Sequence, residues 1–121
     1  MTNAQVVFAC DMTAIAPQDR NLHTDVIHKL FRSVTDITGI SDGYAFHLPN
    51  SDEVLLTAVE FISKEKLCCP FFRFELRIEP GGSSQWLHLT GPHGVKPFIQ
   101  AEIGGALSPA VAKKAGFDTF K

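Results

Sequence analysis

The sequence has few cysteines, little excess charge and no long apolar run, and each shortage excludes a class of protein. Three cysteines, two of them adjacent, do not form the pattern of a disulfide framework, so we expect a reducing, cytoplasmic location. With 11 Lys and Arg against 13 Asp and Glu, the chain lacks the basic excess that binds nucleic acid or an anionic membrane surface. No apolar run approaches the roughly 20 residues of a membrane-spanning helix, and the first residues lack the pattern of a secretory signal.

Motifs of familiar enzymes are also missing. The chain contains no G-x-S-x-G, H-E-x-x-H or C-x-x-C segment. The sequence therefore leaves the catalytic residues unknown and favours a protein that is not an enzyme.

The length of 121 residues is that of one domain. We expect a single α+β domain over residues 1–121, with its core at about 6–103 and a loosely held C-terminal tail at 104–121. Ten Phe against one Trp and one Tyr indicate a bulky apolar core.

Hydrophobic periodicity predicts the element order β-α-β-α-β-β-α. The predicted strands are residues 6–12, 43–49, 72–79 and 85–90, and the predicted helices are 17–34, 52–68 and 95–103, with Ser51 as the N-cap of the second helix. Strict alternation over 72–79 predicts an antiparallel hairpin with 85–90. The predicted fold is a two-layer sandwich in which helices cover one face of a four-stranded, mostly antiparallel sheet.

The vicinal pair Cys68-Cys69 is the sharpest candidate for a chemical site. Neighbouring α-carbons lie about 3.8 Å apart, less than the roughly 4.4–6.8 Å of relaxed disulfides, so we expect both thiols to be reduced and unbridged. Two such thiols suit a soft metal ion or a trivalent metalloid. Packing is the alternative, because free cysteine is often a small buried hydrophobe. A nucleophilic role is disfavoured at a helix C-terminus with Glu65 one turn back.

Four other residues are candidates to extend this site. Cys10 lies on the apolar face of the first predicted strand, where it either joins the vicinal pair as a third thiol or is a lone core cysteine. Arg20 and His23 lie one helical turn apart, and Asp11 precedes their helix, so that Asp11 can pair with either. The alternative for these three is a capping and salt-bridge cluster.

The outer face of the predicted sheet carries an aromatic and charged row of side chains. By strand parity His47, Arg73, Arg77, Trp86 and His88 share this face, away from the helices. An uncovered tryptophan favours a contact surface, so the sequence predicts a homodimer through the open sheet face.

Three segments together resemble a known family. They are E-K-L-C-C-P-F-F-R-F at 65–74, W-L-H-L-T-G-P at 86–92 and G-V-K at 94–96, and Cys10-Asp11 and the spacing of Arg20 and His23 are also similar. The family is one of small uncharacterised bacterial proteins with an E-x-x-C-C-P-F-F segment and an L-T-G-x-x-G-V-K turn. The resemblance covers residues 6–103 and implies a bacterial source and one domain, with no activity attached.

Two main hypotheses follow from these observations. The first is a soft-metal or metalloid binding protein that uses Cys68 and Cys69, with Cys10 or His23 as further ligands. The second is a non-catalytic homodimeric interaction module whose cysteines are core residues. An enzyme with Glu65, His23 and Cys69 around one pocket is the third. Convergence of three sulfurs within about 4 Å of a common point favours the metal hypothesis, and thiols buried among Phe side chains favour the packing hypothesis.

Overall fold

The computed structural model describes residues 8–117, and this part of the chain forms four helices and four strands. In chain order they are α1 (Pro17–Arg32), β1 (Asp36–Ile40), β2 (Gly43–Leu48), α2 (Asp52–Cys68), β3 (Arg73–Ile78), β4 (Gln85–Thr90), α3 (Val95–Ile103) and α4 (Pro109–Ala115). Single 3-10 turns lie at Met12–Ala14, Pro80–Gly82 and Gly104–Ala106. Over the same residues, none of the helices has the length and apolar character that crossing a membrane requires.

The four strands form one antiparallel sheet in the order β1-β2-β4-β3. Two hairpins, β1–β2 and β3–β4, are joined side by side through the β2–β4 pair, and α2 connects them along the chain. At the start of β2 the backbone of β4 comes so close that a Cβ on Gly43 would overlap the Leu89 carbonyl. The α+β sandwich predicted from the sequence is confirmed, and the structure adds its strand order.

The core lies between the helices and one face of this sheet. Phe46 and Leu87 are directly opposite each other on neighbouring strands, and both are fully buried. Phe31 of α1 packs edge-on against Phe46 and against Phe61 of α2, with ring centroids 5.2 Å apart in each pair. These contacts fix α1 and α2 side by side over the sheet, and they place the end of α2 beside the start of α1.

Several elements begin and end where the sequence predicts. The Ser51 side chain accepts a hydrogen bond from the Val54 N–H and caps α2. Pro17 occupies the first turn of α1, where its missing N–H has no helical partner to lose. The predicted β3–β4 hairpin is confirmed, and Phe74 and Leu76 face the core as the alternation requires.

The predicted strand at residues 6–12 is wrong over the part that the structure describes. Residues 8–11 have no regular structure, and Met12 begins a 3-10 turn. The Asp11 side chain accepts a hydrogen bond from the Thr13 N–H, which bends the chain as a local Asx turn does. The Asp11 N–H donates to the Cys68 carbonyl rather than to a strand. Val6 and Val7, which carry the β-branched signal, lie outside the described residues.

Strand β1 is absent from the sequence prediction, which ends the first helix near Val34 and places a turn at Gly39–Gly43. The structure ends α1 at Arg32 and pairs Asp36–Ile40 with β2. Ile37, Thr38 and Ile40 supply the β-branched signal. Gly39 interrupts the apolar pattern, and β1 is a short edge strand with little buried area to mark it.

The segment at 104–121, predicted to be a loosely held tail, is packed over its described part. Leu107, Ala112 and Phe117 are buried, and the Phe117 ring meets Tyr44 of β2 edge-on with centroids 4.9 Å apart. The prediction is wrong here because it rests on the Ala and Lys content of the segment. In its described part the large apolar side chains of Leu107, Val111 and Phe117 reach the core.

Candidate functional site

The C-terminal end of α2 brings three side chains to one place. Glu65, Cys68 and Cys69 occupy positions i, i+3 and i+4, which share one face of a helix. The Cys69 N–H donates to the Glu65 carbonyl at 2.7 Å, so the last helical hydrogen bond holds Cys69 although its own backbone has left the α region. Pro70 then prevents the helix from continuing. The two thiols are therefore fixed by helix geometry and not by a flexible loop.

Cys10 completes the cluster through a disulfide bond with Cys69. The two residues are 59 positions apart in the sequence, and their α-carbons are 4.8 Å apart. The prediction that Cys69 is unbridged is therefore wrong. No bond joins the vicinal pair, in agreement with its short spacing, and Cys68 is a free, buried thiol. The alternative of Cys10 as a lone core cysteine is also wrong.

A buried carboxylate lies at the centre of the sulfurs. Glu65 is 1% exposed, and its Oε2 is 3.2 Å from Cys69 Sγ and 4.0 Å from Cys10 Sγ. The Cys68 thiol donates a hydrogen bond to Glu65 Oε1 at a sulfur–oxygen distance of 3.6 Å, and the Sγ atoms of the vicinal pair are 3.9 Å apart. The three sulfurs and one Glu65 oxygen all lie within 4.8 Å of one another, which is the spacing of a group that could hold a metal ion. The three sulfurs therefore lie together, although only Cys68 carries a free thiol.

His23 of α1 supports Glu65 from the other side. Its Nε2 is 2.8 Å from Glu65 Oε1, and both side chains are almost completely buried. The imidazole stacks on Phe61, with ring planes 14° apart. Among the described residues His23 Nδ1 has no hydrogen-bond partner. A carboxylate orients His23, as the sequence suggests, but that carboxylate belongs to Glu65 and not to Asp11.

Arg20 and Asp11 have structural contacts instead. Arg20 Nε donates to the Ile15 carbonyl at 2.9 Å, which ties the start of α1 to the preceding turn. Hydrogen bonds from Thr13 lower the pKa of the exposed Asp11 carboxyl, with a smaller contribution from the Arg20 charge. For these two residues the capping interpretation describes what the structure shows.

Glu102 is a member of the site that the sequence interpretation missed. It lies on α3, and its Oε2 is 3.4 Å from Cys10 Sγ. Burial raises the pKa of its carboxyl, and the charge of Glu65 raises it further. No sequence motif connects Glu102 with the cysteines, since α3 reaches them only through the packing of the whole domain.

The surroundings of Cys68 oppose its ionisation. Burial, followed by the charge of Glu65 and the hydrogen bond to it, raises the pKa of the Cys68 thiol from 9.0 to about 12. The thiol is therefore protonated at neutral pH. A metal cation bound in place of this proton would offset the negative charges of the Cys68 thiolate and of Glu65.

The histidines of the outer sheet face do not belong to this cluster. His47 Nδ1 is 2.7 Å from Thr35 Oγ1, and its ring lies 4.6 Å from the Trp86 ring. His88 lies 4.0 Å from Glu75 across the β3–β4 pair. The outer row of aromatic and charged side chains is thus on the opposite side of the sheet from the core-facing residues.

Comparison of the chain with protein-family models, with curated proteins and with solved structures finds no match. The resemblance to the bacterial family with the E-x-x-C-C-P-F-F segment stays a prediction, and the candidate site rests on its own geometry.

Proposed function

We propose that the protein binds a soft metal ion or a trivalent metalloid through Cys10, Cys68 and Cys69 when all three are reduced. The observation that carries the proposal is the convergence of these sulfurs around Glu65, within 4.8 Å. Thiolate sulfur is the ligand that soft ions prefer.

The spacing of the sulfurs supports this function. In a thiolate site with metal–sulfur bonds of about 2.3 Å, neighbouring sulfurs lie roughly 3.8 Å apart. The Sγ atoms of Cys68 and Cys69 are already 3.9 Å apart. The bonded Cys10–Cys69 pair must separate, and breaking its disulfide allows that. A third sulfur would then complete a three-coordinate site without a change in the helix.

The charges around the sulfurs also favour a cation. The carboxylates of Glu65 and Glu102 lie beside them, and the carbonyl end of α2 adds partial negative charge. Burial of a carboxylate is costly unless it is paired. Cysteines that served only as small hydrophobes would gain nothing from Glu65 among them. Glu65 Oε1 is paired with His23, but the packing hypothesis does not account for Oε2, which faces the sulfur of Cys69.

The enzyme hypothesis has the residues it needs in one place but not their reactivity. His23, Glu65 and Cys69 are neighbours as that hypothesis requires. However, the raised pKa of the Cys68 thiol opposes formation of a nucleophile, and the Glu65 carboxylate lies beside Cys69 as well. Metal binding needs a thiolate only once the ion is present. A reducing compartment such as the cytoplasm, in which the three thiols are free, suits this function.

The test is titration of the reduced, folded protein with Cd²⁺ and, separately, with arsenite. We expect one ion per chain, with sulfur-to-metal charge-transfer absorbance on adding Cd²⁺. Glu65→Gln should weaken Cd²⁺ binding roughly 10- to 100-fold, as loss of a partner beside the ligands does. Glu60→Gln is the matched control, because Glu60 is exposed on the same helix. Absence of binding by the reduced wild type would refute the proposal.

A further inference from the structure

We infer that the Cys10–Cys69 disulfide is the closed state of the proposed metal site, and that small-molecule thiols open it by attack on Cys10. The inference rests on the proposed function for the identity of what the site then binds. Its chemical part, an ordered thiol–disulfide exchange, rests on the disulfide and on the exposure of its two ends.

The disulfide and the ion compete for the same atoms. Cys10 and Cys69 are two of the three sulfurs in the cluster. A disulfide sulfur has no thiolate charge to donate, and thiolate is the form that binds soft ions. In the oxidised protein Cys68 is the one thiol left in the cluster, so a single sulfur ligand remains beside Glu65 where the reduced protein has three. Oxidation therefore closes the site, and reduction opens it.

Access to the disulfide is unequal at its two ends. Cys69 is fully buried and Cys68 is 1% exposed, whereas Cys10 is partly exposed. An external thiolate therefore approaches the disulfide from the side of Cys10, while Cys69 lies in the core. This asymmetry assigns Cys10 as the entry point and Cys69 as the internal leaving group.

The exchange is balanced with a small-molecule thiol, RSH, as the reductant. Its thiolate attacks Cys10 Sγ, the Cys10–Cys69 bond breaks, and a mixed disulfide R–S–S–Cys10 forms. The sulfur of Cys69 leaves with the electron pair and takes up a proton. A second RSH attacks the R sulfur, which releases RSSR and leaves Cys10 as a thiol. The protein gains two electrons and two protons, and two RSH become RSSR.

Negative charge at the entry point defines the class of thiol. Glu102 Oε2 is 3.4 Å and Glu65 Oε2 is 4.0 Å from Cys10 Sγ. Where these carboxylates carry charge, they repel an anionic reagent and attract a cationic one. The preferred reagents are therefore aminothiols with a positive charge, and thiols with a carboxylate or sulfonate near the sulfur are disfavoured.

The first test locates the mixed disulfide in the metal-free protein. Oxidised wild type is treated with cysteamine, quenched with acid at short times and mapped by peptide mass spectrometry. We expect the cysteamine adduct on Cys10 alone.

The matched variants Cys69→Ser and Cys10→Ser are then treated with cystamine. The Cys69→Ser variant should accumulate an adduct on Cys10, and the folded Cys10→Ser variant should keep Cys69 unmodified. An adduct on Cys69 or Cys68 of the folded wild type overturns the inference.

The second test measures the preference for cationic over anionic thiols and asks whether the oxidised protein has lost Cd²⁺ binding. Rates of disulfide reduction, corrected for thiolate concentration, should be greater for cysteamine than for mercaptoethanesulfonate, and Glu102→Gln should reduce the ratio roughly three- to tenfold. An unchanged ratio refutes the role of Glu102.

Oxidised wild type should not bind Cd²⁺, and Cd²⁺ binding by it would show that the disulfide does not close the site. If the disulfide never forms but the reduced protein binds Cd²⁺, the inference fails and the proposed function stands. If cysteamine reacts at Cys10 but the reduced protein binds neither Cd²⁺ nor arsenite, the proposed function fails instead.

Discussion

At the scale of single residues, Glu65 controls the chemistry of the cluster. Its carboxylate contacts His23 and the sulfurs of Cys68 and Cys69, and all four side chains are buried. A neutral residue there would allow a thiolate to form more easily. With Glu65 present, Cys68 keeps its proton at neutral pH, which limits its reaction with electrophiles.

This effect predicts a loss of stability in alkali. The unfolded Cys68 thiol titrates near 9.0 and the folded one at about 12, so between these values the folded protein holds a proton that the unfolded chain has lost. The contribution of Cys68 to the free energy of unfolding is complete below the lower pKa and falls as pH rises through this window. Urea denaturation of metal-free wild type and Cys68→Ser, from about pH 8 to about pH 11, should show a difference that shrinks with pH. A constant difference would contradict the assignment.

The site residues could be predicted only where they are close in the sequence. Cys68, Cys69 and Glu65 share a helical face, and spacing alone predicts their proximity. His23 was recognisable as a histidine on an apolar helical stripe, but its partner lies 42 residues away. Glu102 and the Cys10–Cys69 bond depend on how distant elements pack, and a single sequence does not contain that information in readable form.

At the scale of elements, the segment before α1 is attached to the end of α2 at two points. One is the disulfide, and the other is the hydrogen bond from the Asp11 N–H to the Cys68 carbonyl at 2.8 Å. That segment was predicted to be a strand because its β-branched and aromatic residues alternate. Its Asx turn and its contact with α2 override this propensity. β1 was missed for the opposite reason, since pairing with β2 makes a strand of a segment whose pattern is interrupted by glycine.

Reduction of the disulfide should measurably destabilise the fold. Residues 59 apart are joined, so in the unfolded chain the bond removes loop entropy worth about 4 kcal/mol at most. We expect the free energy of unfolding in urea to fall by about 2–4 kcal/mol on reduction. Cys10→Ser is the control, because its stability should not respond to reductant. An equal response in that variant would show that the effect does not come from this bond.

At the scale of the whole molecule, the described residues leave one face of the sheet without a covering helix. The pairs His47–Trp86 and His88–Glu75 lie on it, and Arg77 is exposed beside Trp86. Trp86 itself is half-buried by its neighbours. The overall α+β plan could be predicted because alternation in β2, β3 and β4 is strong. The order of the strands could not be predicted, because alternation shows which side chains of a strand face the core but not which strand lies next to it.

The homodimer through this face stays a prediction. Sedimentation at micromolar concentration is expected to give a dimer, because pairing of two outer faces would bury Trp86. Trp86→Ala should shift the equilibrium to monomer without a change in Cd²⁺ binding, since the thiols lie elsewhere. Leu56→Ala is the control, because Leu56 is an exposed apolar residue on α2. A wild type that sediments as a monomer refutes this assembly.

The hydrogen bond between the Asp11 N–H and the Cys68 carbonyl would limit the size of an ion bound at the proposed metal site. It joins backbone atoms and not the sulfurs, and the buried Ile15 anchors the same segment. When the disulfide is reduced, these two contacts would keep the Cys10 segment beside α2, so the Cys10 and Cys69 sulfurs could move apart only by a limited distance. An ion that demands longer bonds must push the segment and the helix apart, against both contacts. If the proposed site binds metal, its preference among thiophilic ions should therefore follow ionic radius more closely than intrinsic affinity for sulfur.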